Sequence, residues 1–145
     1  MTTTPTLNGR IIGQAERATR ALLENLLATT GIGFQPWVIL THLATAGATL
    51  PEAELVHRVT VGLTIPDADA RATIDELVEL GLTERSGVDG TVSLTPAGQA
   101  RHDGIQGAVN ELTAGLYGDL PPADLATAGQ VLTLVTERAR ARLAG

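Results

Sequence analysis

The stretch from Leu82 to Leu94 places the tightest limit on what this 145-residue chain can fold into. Residues 82–86 and 91–94 have the pattern of two short strands, and residues 87–90, which begin and end with glycine, form a four-residue connection. Such a pair of strands predicts a β-hairpin. On both sides of it, apolar residues recur at helical spacing. The sequence therefore predicts a mainly α fold with one small β-hairpin.

Six helices are predicted around this hairpin, four before it and two after it, with glycine and proline marking their ends. The first four run over about 10–30, 37–46, 51–58 and 66–80, and the last two begin near 96 and 121. The first and last helices are long and amphipathic, yet little of the chain is left to cover their apolar stripes. We therefore predict that a second copy of the chain covers those stripes.

The length of the chain corresponds to one ordinary domain. We divide it into a compact lobe, 35–98, and two flanking helical regions, 1–34 and 99–145, that serve dimerisation. No stretch approaches 20 apolar residues, so we expect no membrane span. The first residues lack the pattern of a secretory signal, and the expected location is therefore the cytoplasm.

Charge and aromatic content exclude some kinds of nucleic-acid binding. The chain has 10 basic residues, all arginine, against 16 acids, for a net charge of −6. This balance argues against a protein that coats nucleic acid through charge alone. With Phe34, Trp37 and Tyr117 as its aromatic residues, the chain also lacks a stacking platform for single strands. We expect Trp37, which has apolar neighbours, to lie in the core.

Two motifs flank the hairpin and give the sequence a family resemblance. The segment 80–85 reads Leu-Gly-Leu-Thr-Glu-Arg, and the segment 94–98 reads Leu-Thr-Pro-Ala-Gly. In this order and spacing they resemble the signature of the MarR family of bacterial transcription regulators. The segment 36–40, Pro-Trp-Val-Ile-Leu, is similar to the entry of that family's second helix. The resemblance covers nearly the whole chain.

This resemblance implies a winged helix-turn-helix fold flanked by long dimerisation helices. It implies a homodimer that places two recognition helices in successive major grooves of a palindromic double-stranded DNA operator, with the hairpin wings near the minor grooves. It also implies a small-molecule effector, bound between the dimer helices and the DNA-binding lobe. We expect no cofactor and no metal, and the sequence names no ligand-binding residue.

In this reading the recognition helix covers about residues 66–80, and its first half, 67–73, enters the major groove. The positive end of that helix near Thr64 meets a phosphate. Arg85 and the wing approach the flanking groove. The candidate DNA-binding residues are Arg58, Thr64, Asp67, Asp69, Arg71, Thr73, Arg85 and Asp89.

Three of these candidates have an equally simple structural interpretation. Arg71 could contact a guanine or a phosphate, or it could pair with Asp67 or Asp75 on its own helix. Arg85 matches the arginine after the Gly-Leu turn of the family, and it could contact DNA or pair with a nearby acid. Asp89 is typical of a turn. The sequence leaves these alternatives open.

The recognition segment departs from the family in its charge. Between residues 63 and 81 there are five acids and one base, Arg71, and the wing tip at 87–90 carries no base. Carboxylates near the DNA backbone are repelled, although an aspartate can accept a hydrogen bond from cytosine N4. The sequence thus supports a second hypothesis. The winged-helix dimer would have lost ordinary DNA binding and would act as a module that binds a ligand or a basic protein.

Catalytic and metal-binding interpretations have little support. His42, His57 and His102 lie on different predicted helices without the paired spacing of a metal site. The sequence contains no nucleophile elbow, phosphate-binding loop or dinucleotide-binding motif. We therefore predict that the protein is not an enzyme.

Overall fold

A computed structural model of the chain describes residues 4–145. Over these residues the helices are α1 (Gly9–Ala28), α2 (Phe34–Thr45), α3 (Glu52–Leu63), α4 (Asp67–Glu79), α5 (Pro96–Tyr117) and α6 (Pro122–Ala144). The strands are β1 (Thr49–Pro51), β2 (Thr83–Ser86) and β3 (Thr91–Leu94). The described residues form two compact units, one that ends at Val109 and one that covers Asn110–Gly145. This mostly helical architecture with its hairpin confirms the predicted fold class.

Helix ends follow local chemistry, with one difference from the prediction. The side chain of Asn8 caps α1 by accepting a hydrogen bond from the backbone N–H of Ile11 at 3.0 Å. Helix α3 continues to Leu63, several residues beyond its predicted end. Thr64 ends it instead, because its left-handed backbone, with φ of 56°, turns the chain away from the helix axis.

A third strand joins the predicted hairpin. The sheet order is β1-β3-β2, and both pairings are antiparallel. In the central strand, Val92 lies opposite Leu50 of β1 on one side and opposite Arg85 of β2 on the other. Strand β1 was not predicted, because three residues are too few to display a period of two. Its pairing with β3 holds the start of α3 beside the turn of the hairpin, where the backbone N–H of Glu52 donates to the carbonyl of Gly90 at 2.9 Å.

The core of the first unit lies among α2, α3, α4 and the sheet. Ile39, Leu55 and Ile74 are fully buried there, and the aliphatic residues of all three helices meet as one cluster. This cluster also includes Leu27 from α1 and Ile105 from α5, so the core extends beyond the predicted lobe boundaries at 35 and 98.

Trp37 belongs to the same core, as its apolar neighbours predicted. Its ring stacks on the ring of the buried His102, with centroids 5.1 Å apart and planes 14° from parallel. This contact joins α2 to α5. The three histidines do not come together, and the described residues contain no group of three potential metal ligands.

The second unit is organised differently, because α6 buries none of its residues. Its exposed apolar residues are Leu125, Val131, Leu132, Leu134, Val135 and Leu143. The apolar spacing predicted this helix correctly, but the apolar residues of the helix remain exposed in the single chain. None of the helices in the described part of the chain is both long and apolar enough to cross a membrane.

Candidate nucleic-acid interface

Helices α3 and α4 form a helix-turn-helix. The turn between them consists of residues 64–66, and the backbone N–H of Ile65 donates to the carbonyl of Thr60 at 3.3 Å to close it. Pro66, with its fixed φ, directly precedes α4. Ala70, Ile74 and Leu77 then anchor α4 in the core, which leaves the opposite side of the helix exposed.

The exposed side of α4 is acidic along its whole length. Asp67 and Asp69 occupy the first turn, where their charges offset the positive end of the helix dipole. Asp75, Glu76 and Glu79 continue the acidic surface to the end of the helix. The predicted phosphate contact near Thr64 thus precedes a helical turn that carries two carboxylates.

Thr73 is a correction to the predicted DNA-binding residues. Its side chain is on the buried side of α4, where the residue is only 7% exposed. The hydroxyl donates to Gln35 Oε1 at 3.1 Å and lies 3.0 Å from the carbonyl oxygen of Asp69. Because Thr73 is enclosed between α2 and α4, it cannot reach the edge of a base.

Arg71 and Arg85 meet at a single carboxylate, that of Glu52. Arg71 NH1 lies 2.9 Å from Glu52 Oε2, and Arg85 Nε lies 2.6 Å from Glu52 Oε1. Arg85 NH1 also lies 2.6 Å from Asp75 Oδ1. Arg85 donates hydrogen bonds to Glu52 and to Asp75, and these bonds, that to Glu52 most of all, raise the pKa of Arg85. Arg71 thus pairs with neither Asp67 nor Asp75, the partners that its helix position suggested.

The other predicted cation of the lobe is paired as well. Arg58 NH2 lies 2.7 Å from Glu54 Oε1, one helical turn away on α3. All three arginines between residues 35 and 98 therefore have an acidic partner, and this segment also holds nine acids. Since the remaining arginines and acids of the chain are equal in number, the segment 35–98 accounts for the entire net charge of −6.

The tip of the hairpin presents an uncharged apolar side chain. Val88 is 95% exposed at the tip. Next to it, the backbone N–H of Asp89 donates to Ser86 Oγ at 3.2 Å, and Gly90 has a φ of 66°. Asp89 is therefore part of the turn, and its side chain remains exposed. A tip of this kind can approach a groove but supplies no positive charge of its own.

The two motifs of the family resemblance meet at the base of the hairpin. The Thr95 hydroxyl donates to the carbonyl of Gly81 at 2.6 Å and accepts from the N–H of Gly98 at 3.0 Å. A Cβ on Gly98 would lie only 1.9 Å from the carbonyl oxygen of Leu82. Glycine is thus required at 98 because the first turn of α5 packs directly on the backbone of residue 82.

An open groove of about 600 Å³ lies between the end of α1 and the first half of α5. Its walls are mostly small or apolar, including Leu26, Ala100 and Ile105. Arg101 is its one ionisable lining residue, and Arg101 NH1 donates to the carbonyl of Thr30 at 2.8 Å. The groove combines apolar walls with a single cation.

The three-helix core, the helix-turn-helix and the three-stranded sheet define a winged helix-turn-helix protein. Comparison with solved structures then places it more narrowly: the chain has the fold of the MarR-family transcription regulators. A MarR-family regulator from Silicibacter pomeroyi matches with a TM-score of 0.77 and 23% identity, over 92% of this chain and 90% of that one. The predicted resemblance is confirmed at the level of the fold.

Two further neighbours were solved with bound molecules. A mutant MarR from E. coli in complex with operator DNA matches with a TM-score of 0.72 and 24% identity, over 88% of this chain and 91% of that one. NadR in complex with 4-hydroxyphenylacetate matches with a TM-score of 0.76 and 22% identity, over 90% of this chain and 95% of that one. No protein-family model and no curated protein matches the sequence.

Sequence reasoning missed Glu52 and its position between two arginines. Its place in the first turn of α3 suggested only a favourable interaction with the helix dipole. Its partners are 19 and 33 residues further along the chain, so no helical or strand spacing connects them.

Proposed function

We propose that this protein is a homodimeric, sequence-specific DNA-binding transcription regulator that responds to a small molecule. The observation that carries this proposal is the position of α4. It is the second helix of a helix-turn-helix, one side of it is anchored in the core and its other side is exposed. A neighbour of the same fold was solved with operator DNA.

In the proposed complex, the first turns of α4 enter the major groove and the hairpin approaches the adjacent minor groove. Asp67 and Asp69 are suited to accept hydrogen bonds from cytosine amino groups. Arg71 and Arg85 supply the positive charge. The proposed DNA-contacting residues are Arg58, Thr64, Asp67, Asp69, Arg71, Arg85 and Asp89.

The proposed dimer uses the long helices at both ends of the chain. Apolar side chains on α6, such as Leu132 and Val135, are exposed in the single chain. A second copy would bury them and would set the distance between the two copies of α4. That distance must match half-sites about one turn of DNA apart.

We place the effector in the groove between α1 and α5. Its apolar walls and Arg101 suit a small, partly apolar molecule that carries a negative charge. Because the groove adjoins the start of α5, which packs on the base of the hairpin, occupancy would shift the DNA-binding elements. No catalytic residue and no cofactor is part of this proposal, and the proposed location is the cytoplasm.

Selection of bound duplexes from a random library, with purified protein at low salt, tests the proposal. The expected result is an enriched palindrome whose half-sites are about one helical turn apart. Arg71→Ala should abolish binding to that sequence, whereas Arg17→Ala on α1 serves as the control for loss of one charge elsewhere. A folded dimer that enriches no sequence would contradict the proposal.

The acidic lobe favours a second candidate function, binding of a basic protein. With nine acids and three paired arginines, the segment 35–98 complements a cationic surface better than a phosphate backbone. The charge-reversed double variant Glu76→Arg and Glu79→Arg should then lose the partner in a pull-down. If the protein binds DNA instead, the same variant should bind nonspecific DNA more tightly.

A further inference from the structure

Glu52 is placed where it can control the two central arginines of the proposed interface. It is the first residue of α3, whereas Arg71 belongs to α4 and Arg85 to β2. Each oxygen of the Glu52 carboxylate is used by a different arginine, at 2.9 and 2.6 Å. Its side chain is 23% exposed, less than that of Arg71 at 50% or Arg85 at 36%. The carboxylate is therefore less accessible to solvent than the two arginines that it binds.

Asp75 extends this arrangement on the other side of Arg85. The charges alternate from Arg71 to Glu52, to Arg85 and to Asp75 across three elements of the lobe. Every guanidinium in this chain of ion pairs already donates hydrogen bonds to a carboxylate. A DNA phosphate that approaches Arg71 or Arg85 must share or replace those bonds, and it also meets the negative charge of Glu52.

We propose that Glu52 sets the DNA affinity of this protein by competing with phosphate groups for Arg71 and Arg85. The inference rests on the proposed DNA-binding function. Glu52 is in this view a positioning residue, because it acts through the two arginines and does not itself contact DNA. Because Glu52 weakens the phosphate contacts, stable binding then also requires the free energy of contacts to the correct bases.

Glu52 differs from the other acids of the lobe in this respect. Glu79 is exposed near the end of α4, and it affects an approaching phosphate only through its charge. Glu54 pairs with an arginine on its own helix. Glu52 adds to its charge the direct hydrogen bonds that occupy two arginines of other elements. Removing Glu52 must therefore have a larger effect than removing one equivalent charge.

The test compares Glu52→Gln with the matched control Glu79→Gln and with the unchanged chain. Binding of a labelled DNA duplex is followed by fluorescence anisotropy at a series of KCl concentrations. Glu52→Gln should bind about tenfold more tightly than Glu79→Gln at low salt. Its salt dependence should be steeper by about 3.6 in a dimer, since the two released arginines of each chain neutralise about four further phosphates in total and each adds about 0.9 to the slope. A merely structural role would not change this slope.

Two further variants identify the cause. On a duplex of unselected sequence, adding Glu52→Gln to Arg71→Ala should give at most half the gain in binding free energy that Glu52→Gln gives in the unchanged chain, because one of the released arginines is absent. Asp75→Asn, which loosens Arg85 from the exposed side, should produce a smaller gain because Glu52 still holds Arg85. This variant also provides a test if Glu52→Gln fails to fold, as judged by circular dichroism.

The outcomes separate this inference from the proposed function. If the unchanged chain binds a selected operator but Glu52→Gln binds no better than Glu79→Gln, the inference is wrong and the proposed function stands. If Glu52→Gln binds DNA and the unchanged chain does not, the inference is supported and the proposed function is wrong. If neither binds at low salt, both are wrong.

Discussion

The winged-helix lobe and helix α6 are both built from amphipathic sequence, but they use their apolar residues in different ways. In the lobe, the apolar residues of α2, α3 and α4 meet in one cluster, and Ile39, Leu55 and Ile74 are fully buried. In α6, an equally regular pattern leaves every residue at least partly accessible. Periodicity thus predicts that a helix has an apolar side, and it does not predict whether its own chain covers that side.

Truncation of an apolar side chain to alanine should give the largest difference in stability between the two regions. Ile74→Ala removes a fully buried side chain and should lower the free energy of unfolding by about 2–5 kcal/mol. Leu132→Ala, on α6, removes a side chain that is 38% exposed and should cost less than about 1 kcal/mol in dilute solution. Urea unfolding of both variants measures the difference.

Protein concentration sharpens this first comparison. If a second copy covers α6, the cost of Leu132→Ala should rise with protein concentration, because dissociation is then coupled to unfolding. The cost of Ile74→Ala should change much less. Light scattering that finds a monomer at micromolar concentration would contradict the proposed role of α6.

Alanine substitutions at two glycines of α5 should change the stability of the protein in opposite directions. Gly98→Ala should destabilise the protein by about 2 kcal/mol or more, because the new Cβ meets the backbone of Leu82 and neither backbone segment can move freely. Gly107→Ala has open space around its Cβ and should stabilise the helix by up to about 1 kcal/mol. Thermal unfolding of both variants is the measurement. Equal effects would mean that the first turn of α5 does not pack tightly on the hairpin.

Removal of two threonine hydroxyls should also change stability by different amounts, and this difference should be smaller. The Thr95 hydroxyl joins the end of α4 to the start of α5, so Thr95→Ala should cost about 1 kcal/mol. The Thr133 hydroxyl bonds only within α6, to the carbonyl of Gly129 at 2.7 Å. Thr133→Ala should therefore stay within about 0.5 kcal/mol of the unchanged chain in urea unfolding.

The smallest effect concerns the dependence of lobe stability on pH. Burial, and then the nearby charge of Arg58, lowers the pKa of His42 below its ordinary value of about 6.5. As pH falls below that value, the unfolded chain takes up the proton before the folded chain does. Stability should therefore decrease with falling pH in this range, and His42→Gln should flatten the decrease. Urea titrations at several pH values provide the measurement, with His57→Gln as the control.

The sequence contained most of the candidate site, but not its contacts. The Gly-Leu turn at 81–82 and the segment 94–98 predicted the hairpin and its flanking helices, and those elements are present. The choice of Thr73 as a DNA-binding residue does not fit the structure, because Thr73 lies on the buried side of α4. Burial of Thr73 depends on Gln35, a residue of another helix.

The helices, the hairpin and the excess of acids in the recognition segment could all be predicted from the order of the amino acids alone. These depend on spacing, on glycine and proline, and on residue type, all of which act over a few residues. By contrast, three features depend on the folded chain: the pairing of β1 with β3, the burial of Thr73 and the position of Glu52 between two arginines. Those contacts join residues 19 to 44 positions apart, and no local pattern specifies which distant side chain will fill a given space or neutralise a given charge.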